Sequence, residues 1–286
     1  MIVPESLVPL VELGIVQEVI RPLLSGKEAQ VYVVVSGGKP CVAKVYKSAQ
    51  NRTFKHRAEY TEGRKVRNSR DHRAIEKRSE HGRAREEVSW RSGEVDVMHR
   101  LHAAGVRVPE PYHFVEGVLI MELVVGRDGR AAPRLAELDL DAADAARIHE
   151  ALITEVTKML CAGIVHGDLS EFNVLIAADG PVIIDFPQSV SATENTHART
   201  LLLRDVGNLQ TSLGRSLRGV PAMAHAEELW DLFQSDRLTP ETRLTGRFEA
   251  PVVDANATEV IDLVREAKAD FDELLRRQDE RFARDA

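Results

Sequence analysis

His166-Gly167-Asp168-Leu169-Ser170-Glu171-Phe172-Asn173 is the stretch on which the reading of this chain turns. It sets an Asp and an Asn five positions apart in what reads as a loop. A short apolar run follows (Val174 to Ala177), then the turn signature Asp179-Gly180-Pro181, then Val182-Ile183-Ile184 leading into Asp185. Two short strands joined by a tight turn would bring Asn173 and Asp185 side by side. Such a pair of oxygen donors suits Mg²⁺, which takes a few protein oxygens and completes its shell with phosphate oxygens and water. Asp168 is left to face a hydroxyl or a water. The layout is that of phosphoryl transfer, where catalysis is mostly positioning and charge neutralisation. Asp and Asn also cap ordinary turns; a second constellation upstream weighs against that plainer reading.

Upstream, residues 15–22, 30–35 and 41–46 read as β-branched strands. The first two flank Leu24-Ser25-Gly26-Lys27-Glu28-Ala29, and Gly37-Gly38 turns the second into the third. The loop has neither a triple-glycine nor a Walker pattern. The Ser25 hydroxyl and the backbone N–H groups of Ser25, Gly26 and Lys27 could still cap phosphates. Gly26 could equally serve a plain hairpin turn. Lys44 lies mid-strand and shares a face with Val42, while Ala43 and Val45 share the other. A lysine there points to solvent or anchors an anion; its place after a Gly loop and a turn favours the anchor.

An anchoring lysine needs an acidic partner. Residues 86–104 read as a helix with Val88, Val95, Met98, Leu101 and His102 near one face. Glu94 lies on it, four residues past Trp90, and is the expected partner, with Glu86 and Glu87 as rivals. An apolar strand, Val118 to Gly126, reads as a connector between two lobes. There Met121 would close the back of a pocket, while the Glu122 carbonyl and Val124 amide would bond an adenine edge.

Taken together, SGKEAQVY (25–32), VAKVYK (42–47), FKHRAEY (54–60), Trp90 and Glu94, HGDLSEFN (166–173), IIDFPQSV (183–190) and HARTLLLRDVGN (197–208) resemble the RIO atypical serine/threonine protein kinases over about residues 15 to 210. Pro187-Gln188 after Asp185-Phe186 separates this pattern from Asp-Phe-Gly kinases. About fourteen residues precede the first strand, so the chain is similar to the shorter branch without an N-terminal winged helix. The resemblance implies an α+β, bilobal protein-kinase-like fold. Its N-lobe is an antiparallel sheet, and its mainly helical C-lobe is trimmed of the activation segment. The expected N-lobe is 1–124, with a basic insert at about 47–85, and the expected C-lobe is 125–286. The resemblance further implies Asp168 as catalytic base, Asn173 and Asp185 as ligands of Mg²⁺ (or Mn²⁺), Lys44 as phosphate anchor for ATP, and Asp185 as an acceptor in an aspartyl-phosphate ATPase cycle. Gly167, Phe172 and Gln30 depart from common family residues without touching a charged catalytic group. A small-molecule kinase of aminoglycoside type shares His-Gly-Asp-Leu-x-x-x-Asn, but the Pro-Gln pair and the basic insert argue against it.

Net charge is the sum of two opposite parts. Residues 47–85 hold thirteen Lys and Arg against five Asp and Glu, a net of +8; the whole chain is −7, so the remainder carries −15. The insert has few large apolar residues and cannot bury much alone. It reads either as a solvated loop over the nucleotide or as a dock for rRNA or a small ribosomal subunit. The two cysteines, Cys41 and Cys161, are expected unpaired, in keeping with a cytoplasmic setting. The start carries no signal-peptide pattern, and no run of apolar residues is long enough to span a membrane.

Residues 139–162 have the period of a long helix, with Leu140, Ala143, Ala146, Ile148, Leu152, Val156, Met159 and Leu160 as its apolar side and Gly163 as its end. A further helix is expected over 197–219. The resemblance suggests that Asp205 on it bonds the catalytic loop; a surface ion pair is the alternative. A last helix over about 254–286 is expected to pack on the C-lobe, or to bind a partner.

Overall fold

Alternating β-branched residues build the first half of the molecule. In the computed structural model, which describes residues 3–26, 29–47, 93–214 and 224–248, five strands form one antiparallel sheet. These are β1 (Glu18–Ser25), β2 (Ala29–Ser36), β3 (Lys39–Tyr46), β4 (Pro111–Val115) and β5 (Val118–Glu122), in the order β1-β2-β3-β5-β4. Gly37 and Gly38 turn β2 into β3 at φ 58° and 74°, a region glycine enters without steric cost. Register pairs Lys44 with Val31 on one side and with Leu119 on the other. The pleat therefore turns Val42 and Lys44 to one face and Cys41, Ala43 and Val45 to the other, as expected.

That second face is covered by an element the periodicity did not reveal. A 3₁₀ turn (Glu5–Leu7) runs into α1 (Val8–Glu12), and Leu7 and Leu10 are wholly buried against Val34, Cys41, Ala43 and Ile120. A five-residue helix is too short to display a repeat. Burying each leucine contributes about 1.5–3 kcal/mol.

Residues 93–103 are helical (α2) and bury Val95, Met98 and Leu101. His102, expected on that face, is exposed. The chain reverses at Gly105 (φ 75°), and Val106 covers the core at that end instead, its N–H donating to the Leu101 carbonyl at 3.0 Å.

The second half is α3 (Ala142–Cys161), β6 (Ile164–Val165), β7 (Val174–Ile176), β8 (Pro181–Ile183), β9 (Val190–Ser191), α4 (Ala198–Gly214) and α5 (His225–Gln234). Asp141 caps α3 by accepting the Asp144 N–H at 2.7 Å, and Gly163 (φ 72°) follows its end. The buried stripe is Ala145, Ile148, Leu152, Val156 and Met159. Ala143 and Ala146, expected on it, are exposed, because the stripe steps back from Ile148 to Ala145 at helical spacing. One core cluster runs from Tyr46, Val95 and Leu119 through Leu152 and Leu160 to Val206 and Leu229, so sheet and helices share it. This is the expected bilobal α+β arrangement. Lys27, residues 48–85 of the basic insert, residues 86–92 of the helix expected over 86–104 (Glu86, Glu87, Val88 and Trp90 among them), residues 215–219 of the helix expected over 197–219 and the helix expected over 254–286 lie outside the described residues.

Candidate active site

β7 and β8 pair Val174 with Ile183, and the Ile184 N–H donates to the Asn173 carbonyl at 3.0 Å. The hairpin thus brings Asn173 and Asp185 to adjoining strand ends, as their spacing required. Asp185 adopts φ 73°, a left-handed conformation uncommon outside glycine. Both residues line a cleft of about 520 Å³ between the sheet and the helical half. Val31 and Val42 contribute apolar surface from the sheet, Leu175 and Ile184 from the hairpin, and Met121 and Val124 from the connector.

At the polar end, Lys44 Nζ donates to Glu94 Oε1 at 2.7 Å and to Asp185 Oδ1 at 2.8 Å. The Lys44 and Glu94 side chains are 13% and 2% exposed, while that of Asp185 is 40% exposed and open to the cleft. Burial opposes the charge on Lys44, but the Asp185 and Glu94 carboxylates outweigh it and hold the ammonium well above its ordinary pKa. Burial likewise opposes charge on Asp185, and Lys44 overrides it, lowering that carboxyl. Glu94 is thus the partner found for Lys44 among the described residues, and its rivals Glu86 and Glu87 lie outside them.

The loop 166–173 is held from behind. Asp205 of α4 accepts the Gly167 N–H at 2.7 Å and the Leu169 N–H at 3.0 Å, and Asn208 donates to the Leu169 carbonyl at 3.1 Å. Arg204 donates to the Gly167 carbonyl. Burial pushes Asp205 up to about 7, with the two N–H groups and Arg204 pulling against it. His166 packs against Phe186 with the rings tilted 49° and their centroids 5.0 Å apart, and its Nε2 lies 3.1 Å from the Ile184 carbonyl. Burial lowers its pKa to about 4, so the ring is neutral and donates that bond. Asp168 is exposed, and the surrounding chain raises its carboxyl through partial desolvation and the nearby Asp185, against the pull of Arg204. Asn173 Nδ2 donates to the Asp168 carbonyl at 2.8 Å, which leaves the Asn173 amide oxygen for another partner.

Of the loop residues, Gly26 lines the cleft and its carbonyl accepts from Lys47 Nζ at 2.7 Å. Ser25 ends β1, is exposed and does not line the cleft. At the connector, β5 ends at Glu122, earlier than the Val118-to-Gly126 strand expected. The Val124 carbonyl accepts the Ala132 N–H at 2.9 Å, so its own N–H is the group left to meet a ligand. The Glu122 carboxylate forms a two-pronged bond with Arg107, at 2.8 and 2.9 Å. Arg107 escaped the sequence reading. Its N–H also donates to Glu155 of α3 at 2.7 Å, its carbonyl accepts from Ile183, and its Nε lies 3.6 Å from Asp179. A lone arginine after a helix-ending glycine carries no local signal of such a role.

A sheet-bearing lobe, a helical lobe and a charged cluster where they meet define a kinase-like phosphotransferase. The overall fold matches that of the Rio2 kinase–ADP/Mg²⁺–phosphoaspartate complex from Chaetomium thermophilum, with a TM-score of 0.56 and 22% identity over 96% of this chain and 75% of that one. Residues 30–226 match the RIO domain model, and the chain belongs to the RIO family. It is 32% identical over 219 residues to the RIO-type serine/threonine-protein kinase Rio1 of Haloferax volcanii, covering 75% of this chain and 68% of that protein. To the human serine/threonine-protein kinase RIO1 it is 31% identical over 235 residues, covering 80% of this chain and 38% of that protein. Among the described residues, no helix is long and apolar enough to cross a membrane.

Proposed function

We propose that this chain is an ATP-dependent serine/threonine kinase whose chemistry is carried by Asp168, Lys44, Asn173 and Asp185. The observation that carries the reading is the convergence of Lys44, Glu94, Asn173 and Asp185 on one apolar-walled cleft. Adenine fits between Val31 and Val42 on one side and Leu175 and Ile184 on the other, its edge facing the Val124 N–H. Lys44, fixed by Glu94, holds the phosphates. The free Asn173 amide oxygen and the Asp185 carboxylate are a fitting oxygen pair for Mg²⁺, which when bound neutralises phosphate charge. Asp168 orients a seryl or threonyl hydroxyl and accepts its proton. That oxygen bonds to the γ-phosphorus as the bond to the β–γ bridging oxygen breaks and ADP leaves. With Asp185 as acceptor, its carboxylate takes the phosphoryl group, and water later hydrolyses the acyl phosphate. The phosphoaspartate in the Chaetomium Rio2 complex supports this branch.

The +8 segment over 47–85 supports a nucleic-acid partner, rRNA or a small ribosomal subunit. The unpaired Cys41 and Cys161 support a cytoplasmic setting.

Purified protein with γ-labelled ATP and Mg²⁺ tests the chemistry. Asp168→Asn is expected to lower turnover by about 10²–10⁴-fold. Unchanged autophosphorylation and hydrolysis in that variant would refute the assignment.

A further inference from the structure

The antiparallel pairing of Val165 with Val190 runs the segment after Asp185 alongside the catalytic loop, so that Gln188 comes opposite Gly167-Asp168. Gln188 Nε2 donates to Asp168 Oδ2 at 3.3 Å. Among the described residues it is the hydrogen-bond donor that this carboxylate has; the other polar groups of Asp168 are occupied by backbone duties, its N–H toward His166 Nδ1 at 3.3 Å and its carbonyl toward Asn173 at 2.8 Å. The backbone carrying Gln188 is itself held. Pro187 fixes its own φ. The buried Ser189 donates to the Phe186 carbonyl twice, from its N–H at 3.1 Å and its hydroxyl at 2.7 Å, and Val190 then enters β9.

We infer that Gln188 is the positioning residue of the reaction: its amide N–H holds one oxygen of Asp168 so that the other is turned to the incoming hydroxyl or water. The inference rests on the proposed role of Asp168. An exposed carboxylate rotates freely about χ2, and a base is effective only where its free oxygen meets the proton it takes. A single donor on Oδ2 removes that freedom and, through a turn only three residues beyond Asp185, links the orientation of the base to the phosphate end of the cleft. A bond of 3.3 Å before substrate binds is of the kind that shortens when the reacting groups are assembled.

Hydrolysis of Mg²⁺-ATP and autophosphorylation in the full chain test this with Gln188→Glu, Gln188→Ala and Gln188→His, beside Asp168→Asn. Glu has the shape of Gln but donates no N–H and sets a like charge beside Asp168, whereas Ala removes the donor without adding charge, so a loss shared by both reads the donor. The expected result is a drop of about tenfold or more in kcat for both Glu and Ala, with KM for ATP within about twofold and the melting temperature unchanged. Gln188→His, which keeps an N–H donor, is expected to recover part of the loss. Wild-type kcat in Gln188→Glu together with an inactive Asp168→Asn overturns the positioning role alone. Full activity in Asp168→Asn overturns the assignment of the base and this inference with it.

Discussion

Lys44 and Asp185, 141 positions apart in the chain, meet at 2.8 Å across the cleft, and Glu94 holds the other side of the same ammonium. Removing the lysine leaves two carboxylates facing each other without a cation. Lys44→Met should therefore cost about 3–5 kcal/mol of stability as well as nucleotide affinity. Glu94→Gln, which keeps a hydrogen-bond acceptor, should cost less. Urea unfolding and nucleotide titration of the two variants check the order.

Two buried groups give stability opposite dependences on pH. His166 has its pKa depressed from 6.5 to about 4, so what it contributes is present above about pH 6.5 and is lost as pH falls through 4. The loss is on the order of 3 kcal/mol. His166→Gln should flatten that limb in unfolding curves taken between pH 7 and pH 4.

Asp205 runs the other way. Its pKa is raised from 3.8 to about 7, so its contribution is full below about pH 4 and lost as pH rises through 7. Relative to wild type, Asp205→Asn should gain in stability from pH 5 to pH 8, while turnover falls at every pH because one carboxylate holds two N–H groups of the catalytic loop. Paired melting curves and rates separate the two effects.

The Asp168 carboxyl is raised above its ordinary value by partial desolvation and by Asp185. A base must be ionised to accept a proton. The acid limb of kcat for ATP hydrolysis is therefore expected above the usual Asp range, with activity lost as pH falls through it. A limb at the ordinary Asp position would mean that another group limits the rate.

Arg107 and Glu122 meet through the two terminal guanidinium nitrogens at the connector. Arg107→Lys cannot reproduce that fork. A cycle of Arg107→Met, Glu122→Gln and the double variant should return a coupling of about 1 kcal/mol. KM for ATP should rise more than kcat falls, because the pair sits at the adenine end.

Much of this arrangement was legible because the residues concerned lie in short, strongly patterned segments. The hairpin between Asn173 and Asp185 follows from its turn residues, and the Lys44 face follows from strand alternation. Glu94 could be chosen because one glutamate on the helix had the right spacing from Trp90. The rest depended on chain reversals that leave no local pattern. Leu7 and Leu10 are read as core only once the sheet they cover exists. His102 misleads because its helix ends one residue later and the chain reverses at Gly105. Arg107 gains its importance from four segments that no window of sequence contains together, and the bond from Gln188 to Asp168 depends on the two-residue pairing of β6 with β9.

That same pairing has a consequence for access. Only four residues separate Asp185 from β9, so the two are at most about 18 Å apart. So short a tether has no slack to swing across the mouth of the cleft or to be swung away from it. This stretch of chain therefore leaves the acceptor side of the cleft uncovered, whatever comes to occupy it.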